Sequence, residues 1–301
     1  IGDYTGANTD GVGGVVRITG SDNDQAAARN SCISMSSKMY RIFRSFSIDT
    51  CAQYAITGTD CADIELDKII IQGDYNYAVL QSVGTSQARW TITNCFGFSA
   101  TSSPFVQFYA ASAANNVGHS VSNCVMVGHG GSLVQSRAVG GITVKNSTAI
   151  GGLYGINVSA ALTAGQTVTV NNCIFYLCQV AFAATATGEI TENYNTLYGN
   201  ATARTNTNIG ANTKTYPPLF DTRWFFEAVN GGDMVTPFDL ASYSQLVNMA
   251  GTSPTATDMR GTAVQGTQRE WGALEYDPAL LIEAGSGGGA VSISPYRGNI
   301  G

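Results

Sequence analysis

Three acidic residues, Asp63, Glu65 and Asp67, alternate with apolar residues in the segment DIELD. Side chains two residues apart in a β-strand point to the same side, so this spacing places three carboxylates on one face. Carboxylate oxygens are good ligands for Ca²⁺, and the segment is therefore a candidate metal site, with calcium as the only cofactor that the sequence indicates. A solvated outer face has the same pattern, and that alternative stays open.

Tyrosines are concentrated in the first third of the chain. Tyr40, Tyr54, Tyr75 and Tyr77 are our candidates for carbohydrate binding, because exposed tyrosine rings on a flat β-surface can stack on sugar rings. Packing in the core or along a sheet edge is the alternative role for these residues.

An internal repeat indicates the elements that would position these side chains. The segments TITNCFGF, SVSNCVMV, TVKNSTAI and TVNNCIFY share an Asn, then Cys or Ser, then a mostly apolar run. The shared residues are Asn94, Asn123, Asn146 and Asn172, separated by 29, 23 and 26 residues, and we place Asn195 next in the series. A repeat of about 25 residues is typical of one coil of a parallel β-helix, in which stacked coils bury a common core.

Asn has a structural role in such a repeat. It tolerates a left-handed backbone conformation at a turn, and stacked Asn amides can hydrogen-bond along the helix axis. An antiparallel sandwich with Asn-rich turns is the alternative. We predict an all-β fold, a right-handed parallel β-helix of about seven or eight coils over residues 1–214. A C-terminal cap follows over residues 215–282, and a Gly-rich linker with a terminal strand over residues 283–301.

The thiols follow the same register. The chain has seven cysteines, an odd number, so they cannot all pair within the molecule. Cys95 and Cys124 occupy equivalent places in neighbouring coils, about 4.8 Å apart if stacked. That separation exceeds the mean Cβ distance of about 3.8 Å in disulfides. We expect a ladder of free thiols that act as small apolar fillers.

The repeats resemble those of right-handed parallel β-helix proteins of the pectate-lyase-like superfamily, over about residues 1–200. The segment TDMRGTAVQGTQREWGALEY resembles the closing segment of many such proteins, a D-x-x-G-x-x-R loop followed by a D-x-GAxEY strand. Asp258 and Gly261 match the loop, while Gln265 falls near the usual Arg and Glu270 replaces the usual Asp. The opening residues 2–24 resemble a capping coil of bacterial surface and virus-associated proteins.

The run NTDG at residues 8–11 resembles a motif of polygalacturonases, which need two carboxyl groups about 6.5–9.5 Å apart. By that resemblance, the alternative catalytic residues are Asp10, Asp60 and His129. The family's second aspartate pair is incomplete because Thr59 precedes Asp60. Stacking at about 4.8 Å per coil would spread the three residues over about 24 Å. We therefore expect no convergence and assign no catalytic residue.

Composition narrows the function classes. The net charge is −6 and no basic cluster occurs, so we expect no nucleic-acid partner. No apolar run reaches the roughly 18 residues that would span a bilayer, so we expect no membrane insertion. Ile1 is not an initiator, and we expect a processed or trimmed product.

The combined observations favour a structural or adhesive protein of an extracellular, cell or virion surface, with contact to glycans as a further expectation. The segment AVSISPY at residues 290–296 has alternating apolar residues that can add to a neighbour's sheet. We therefore expect a homo-oligomer or an association with other surface or virion proteins, with polysaccharide as a further partner. A carbohydrate-binding module and a polysaccharide lyase or hydrolase are the alternative functions.

Overall fold

Short parallel strands stack on one another to build the chain. The computed structural model describes residues 17–19, 31–49, 53–72, 77–83, 89–98, 104–110, 118–128, 130–220, 240, 244–251, 256–259, 263 and 270–274. These residues contain strands and no helix, and every pairing between named strands is parallel. The predicted fold class, an all-β right-handed parallel β-helix, is confirmed.

Three faces run along the stack. The first face comprises the N-terminal halves of β3 (Met39–Asp49) and β5 (Ala62–Gln72), then β7 (Trp90–Thr93), β10 (His119–Ser122), β13 (Ile142–Lys145), β16 (Val168–Asn171) and β19 (Ile190–Asn193). The second face comprises β1 (Arg17–Thr19), the C-terminal halves of β3 and β5, then β8 (Phe96–Phe98), β11 (Val125–Val127), β14 (Thr148–Ile150), β17 (Ile174–Tyr176) and β20 (Thr196–Tyr198). The third face comprises β2 (Ser31–Ser36), β4 (Tyr54–Thr59), β6 (Tyr77–Val83), β9 (Val106–Ala110), β12 (Ser132–Arg137), β15 (Tyr154–Ala160), β18 (Val180–Ala183) and β21 (Thr202–Thr205).

A sharp corner separates the first face from the second, and we call it the Asn corner. One residue per coil adopts a left-handed conformation there, with φ between 47° and 58°. The strand register aligns these residues in the order Ser45, Lys68, Asn94, Asn123, Asn146, Asn172 and Tyr194. A left-handed residue reverses the pleat within one step, so each coil bends without a loop.

The stack makes about six turns, slightly fewer than the seven or eight predicted. One turn along the Asn corner takes between 22 and 29 residues. Much of residues 1–30, which the prediction counted as coil, lies outside the described residues.

The core is the interior of the coils. On the first face, alternate residues point inward, so one interior row contains Leu66, Ile92, Val121 and Val144. Each of these side chains is fully buried and lies directly above the next. Because no single coil can bury its apolar side alone, this shared interior is what makes the stack cooperative.

A buried carboxylate ends that row. Glu192 continues the row after Val170 in the last coil, and its side chain is fully buried. Arg204 pairs with it at 2.6 Å, and the amide of Gly210 donates to the same oxygen at 2.8 Å. The hydroxyl of Thr213 is also bonded to the carboxylate. Residues 206–214 therefore cross the end of the stack and close it, and these residues precede the expected boundary at residue 215.

The described C-terminal residues lie beside the stack rather than over its end. We call residues 240, 244–251, 256–259 and 270–274 the strap. Met259, Ala273 and Leu274 pack on Phe96 and Val125 of the second face. Farther along the same face, Ile174 packs against strap residues Leu240, Leu246, Ala250 and Trp271. The described part of residues 239–251 therefore packs on the outward apolar row of the second face and buries it.

Candidate functional site

The acidic strip on β5 faces outward, as its spacing predicts. Ile64 and Leu66 are buried, while Asp63, Glu65 and Asp67 are half-buried on the opposite side. Glu65 is bonded to Arg44 of the preceding coil. The carboxylate of Asp67 accepts a hydrogen bond from Asn94 Nδ2 at 2.6 Å, from the following coil.

Asp63 also has a partner in the next coil. Arg89 donates two hydrogen bonds to its carboxylate, at 2.6 and 2.9 Å, and this bidentate contact lowers the pKa of Asp63. All three carboxylates thus tie neighbouring coils together. Among the described residues, no group of three or more His, Cys, Asp or Glu side chains is arranged to hold a metal ion. Calcium binding at this strip stays a prediction.

The candidate tyrosines do not share one face. Tyr40 is 71% exposed and lies near the start of β3, on the first face. Tyr54 is half-buried and begins β4, on the third face, where it is in register with Tyr77. The side chain of Tyr77 and the whole of Tyr75 lie outside the described residues. Tyr40 and Tyr54 therefore cannot contact one flat ligand together.

The motif-based catalytic candidates are only partly described. Asp10 and His129 lie outside the described residues, and Asp60 occupies a left-handed corner between β4 and β5. The described histidine, His119, is buried in the core, where its ring lies 4.3 Å from that of Phe108. Burial lowers the pKa of His119 to about 3, and its Nδ1 accepts a hydrogen bond from the amide of Trp90. His119 is thus a neutral core residue at pH 7.

The predicted Asn ladder residues occupy consecutive places at the Asn corner. Their backbone amides bond from coil to coil: Asn94 N donates to Ser122 O at 3.1 Å, and Asn146 N donates to Asn171 O at 3.1 Å. The amide side chain of Asn123 donates to Asn94 Oδ1 at 3.1 Å. Direct contacts of this kind satisfy polar groups along the stack.

The ladder also holds the strap. Asn172 Oδ1 accepts from the amide of Gly251 at 2.7 Å, and Asn123 Nδ2 donates to Thr257 O at 3.0 Å. The carbonyl of Asn172 accepts from the amide of Gly272 at 2.8 Å. The Asn corner is therefore both a coil-to-coil ladder and the line on which the C-terminal residues dock.

Asn195 does not continue the ladder. The register pairs Asn171 with Asn193, which places Tyr194 below Asn172 and Asn195 below Cys173. Asn195 Oδ1 accepts from the amide of Cys173 at 2.9 Å, and its Nδ2 donates to Val170 O at 3.0 Å. The assignment of Asn195 to the Asn series was therefore wrong by one residue.

The position after the Asn corner holds the thiols. Cys95, Cys124 and Cys173 are buried, and each Sγ lies 3.1–3.3 Å from the carbonyl two residues earlier. Ser147 makes the same contact through its hydroxyl at 3.0 Å. Cys61 and Cys178 are also buried and free. Cys32 is disulfide-bonded, so the expectation that all thiols are free is wrong at that residue.

An aromatic pair on the second face was not predicted from the sequence. The rings of Tyr176 and Tyr198 stack, with centroids 6.1 Å apart and an interplanar angle of 18°. Phe220 lies edge-on to Tyr176 at 5.8 Å. The repeat could have indicated this pair, because Tyr176 and Tyr198 occupy equivalent positions in successive coils. Each lies four residues after the Asn corner, which is at Asn172 in one coil and at Tyr194 in the next.

No protein-family model and no curated protein matches the chain. In the part of the chain that the structure describes, no helix has the length and apolar character needed to cross a membrane.

Proposed function

We propose that the chain is a non-catalytic structural or adhesive β-helix that serves as a rigid element on an extracellular or virus-particle surface. The observation that carries this proposal is the pairing of polar surface groups from coil to coil. The contacts Asp63–Arg89, Glu65–Arg44 and Asp67–Asn94 all join neighbouring coils. These contacts stabilise the stacking of neighbouring coils, and they occupy the polar side chains of the acidic strip.

Two further features support a load-bearing role. The strap is joined to the Asn corner by hydrogen bonds between residues that lie 79 and 134 positions apart in sequence. The ion pair between the buried Glu192 and the half-buried Arg204 closes the last coil. A solenoid whose end is closed in this way does not expose an open sheet edge at that point, which protects it from aggregation.

A kinship with the pectate-lyase-like superfamily and an association with virus particles are part of this proposal. The coil architecture and the matches at Asp258 and in the segment WGALEY support the kinship. Within residues 270–274, however, the closing segment forms bends rather than the strand that the resemblance implies. We propose assembly as a homo-oligomer or with other surface proteins through residues 285–301, which lie outside the described residues.

Two measurements test the proposal. Antibodies against the folded chain should label intact source cells or particles without permeabilisation. Incubation with uronic-acid polymers and neutral polysaccharides should release no reducing ends and no unsaturated products. Turnover that disappears in Asp63→Asn, Glu65→Gln or Asp60→Asn, with the fold intact by circular dichroism, would replace the structural proposal with an enzymatic one.

Glycan contact is the second candidate function, and the stacked pair on the second face favours it. Tyr198 is 39% exposed, and its ring is held in place by stacking on Tyr176, so it offers an ordered aromatic surface to a sugar ring. On a glycan array, Tyr198→Ala should lose binding, whereas Tyr40→Ala on the first face should retain it. Equal loss in both variants would show that the stacked pair is not the platform.

A further inference from the structure

A second corner of the stack separates the second face from the third. The strand register aligns four left-handed residues there, with φ between 57° and 71°: Gly128, Gly151, Leu177 and Gly199. Three of these coils use glycine, which adopts this conformation without a steric penalty. The fourth coil uses leucine, whose Cβ makes the same conformation unfavourable.

Leu177 gains little burial that would offset this strain. Its side chain is 52% exposed and leans over Gly199, where an added Cβ would lie 2.8 Å from Leu177 Cδ2. Strained backbone conformations persist where contacts of the side chain or the surrounding structure require them, and they cluster at functional sites. An exposed leucine at a strained position therefore indicates a surface that packs against a further element.

A groove of about 440 Å³ lies beside this leucine, and Gly151, Leu153 and Gly199 are among its lining residues. A Cβ at Gly151 would meet nothing within 4 Å, so the groove is open there. No charged side chain is among the described residues that line it. The amides of Gly151 and Leu177 already donate to the next coil, at 2.9 and 3.1 Å. The groove therefore suits an apolar chain segment better than a charged ligand.

The apolar surface continues from the groove onto the second face. Val127 and Ile150 end their strands directly before the second corner, and both are half-buried. Phe98, in the same outward row, is 45% exposed. From Phe98 to Leu177 this surface crosses three coil steps, about 14 Å, and it is about three residues or 10 Å wide.

These dimensions decide what kind of partner fits. The surface has an area of about 140 Å², whereas each partner in a stable complex of separate proteins contributes about 800 Å². A segment of the same chain needs much less area, because its covalent connection gives it a high effective concentration at the groove. The occupant is therefore expected within this chain.

We propose that residues 276–282 of the same chain, with the sequence YDPALLI, pack in this groove and against Leu177. These residues lie outside the described part of the chain, and six of the seven have apolar or aromatic side chains. The chain enters them from Leu274, which packs on Phe96 and Val125 in a cluster that also contacts Val127.

The distance from the strap to the groove is short. Gly151 lies one coil and about three residues from Val125, a separation of about 11 Å, which four extended residues can span. Packing of the segment there places the Gly-rich residues 285–289 beside the second corner, so that the terminal residues 290–301 leave the stack from that position. The inference goes beyond the proposed structural role and does not depend on it.

Light-induced cross-linking in the full chain tests this placement. Leu281 is replaced by p-benzoylphenylalanine, the protein is irradiated, and the cross-linked peptides are mapped by mass spectrometry. We expect cross-links from position 281 to residues 150–153 and 177–179, in chains of monomeric mass and with a yield that does not change on dilution. The same probe at Val291, beyond the Gly-rich linker, should give no cross-link to these residues.

Two substitutions at Leu177 separate a specific contact from chance proximity. Leu177→Asn removes the apolar side chain but keeps a residue that tolerates the left-handed backbone, so the fold should be intact by circular dichroism and the cross-link yield should fall severalfold. Leu177→Met keeps the apolar volume and should keep the yield. No cross-link to the groove, an equal yield in Leu177→Asn, or cross-links between chains that increase with concentration would each overturn the proposal.

Discussion

Replacement of Gly272 by Ala should detach the strap from the second face. Gly272 has a φ of +96°, which side chains of L-residues rarely adopt. A Cβ at this position would lie 2.7 Å from Ile174 Cδ1 and 2.7 Å from Thr148 Oγ1. Both atoms belong to buried side chains of the second face, so they have little room to move.

The expected loss in the free energy of unfolding has two parts, backbone strain and overpacking, and a substitution at a second glycine measures the first part alone. Gly188 has a φ of +95°, and a Cβ there would meet nothing within 4 Å. Gly188→Ala should therefore cost only the backbone strain, about 1–2 kcal/mol in the free energy of unfolding. Gly272→Ala carries the same strain and an overpacking cost of about 1–3 kcal/mol.

Urea denaturation and hydrogen exchange would measure both parts. If the strap opens alone, the global midpoint changes little, but exchange becomes faster at the amide of Gly272, which is bonded to Asn172 O, and at Gly251. Equal stability and equal exchange in Gly188→Ala and Gly272→Ala would show that the strap is not packed against the second face, and the reasoning would fail.

Three other predictions concern buried polar groups. Burial lowers the pKa of His119 from 6.5 to about 3, so between these pH values the unfolded chain binds a proton that the folded chain does not. The free energy of unfolding should therefore fall as the pH drops from about 6.5 towards 3. Urea midpoints should show a shallower fall in His119→Gln, and parallel curves would contradict the assignment. Glu192→Gln should cost about 1–3 kcal/mol, because it removes the charged partner of the half-buried Arg204. Arg204→Met in the same chain should recover part of that loss in a double-mutant cycle. Burial raises the pKa of Cys178 to about 11, so the native protein at pH 8 should react slowly with a thiol reagent. The unfolded, unreduced chain should titrate at least five thiols. Rapid labelling before unfolding would contradict the burial of these thiols.

The parallel β-helix was predictable because its signal is local. The four coils that turn at Asn94, Asn123, Asn146 and Asn172 repeat a left-handed residue, a small buried residue and an apolar strand, and these choices are visible in a window of eight residues. The inward alternation on the first face, such as Trp90 and Ile92, has the same local origin. The acidic strip was placed correctly on one outer face for this reason, by the two-residue period of a strand.

The partners of that strip were not predictable in the same way. Arg89 lies 26 residues after Asp63, and Arg44 lies 21 residues before Glu65. Their contacts depend on the exact length of each coil, which varies along the stack. An acidic strip in a sequence therefore indicates a metal site and an ion-paired surface equally well until the coil register is known.

The error at Asn195 shows that one residue type has two uses in this fold. At the Asn corner, Asn tolerates the left-handed backbone, but Tyr194 accepts the same conformation with φ of 54°. At the next position, the side chain must satisfy the amide of the coil above, as Ser147 does for Cys124 and Asn195 does for Cys173. Sequence similarity alone cannot separate these roles, because Asn is suited to both.

The strap could not be predicted from local pattern, because its contacts join residues 79 to 134 positions apart. The surface on which the strap packs nevertheless follows from the repeat. The Asn corner presents outward-facing amide groups that the coil-to-coil bonds do not fully use, and the second face beside it presents an apolar row that includes Phe96, Val125 and Ile174. A segment that packs on this row can bury its apolar side chains and hydrogen-bond with these amides at the same time. The Asn corner, which bends each coil, therefore also determines where the C-terminal residues bind.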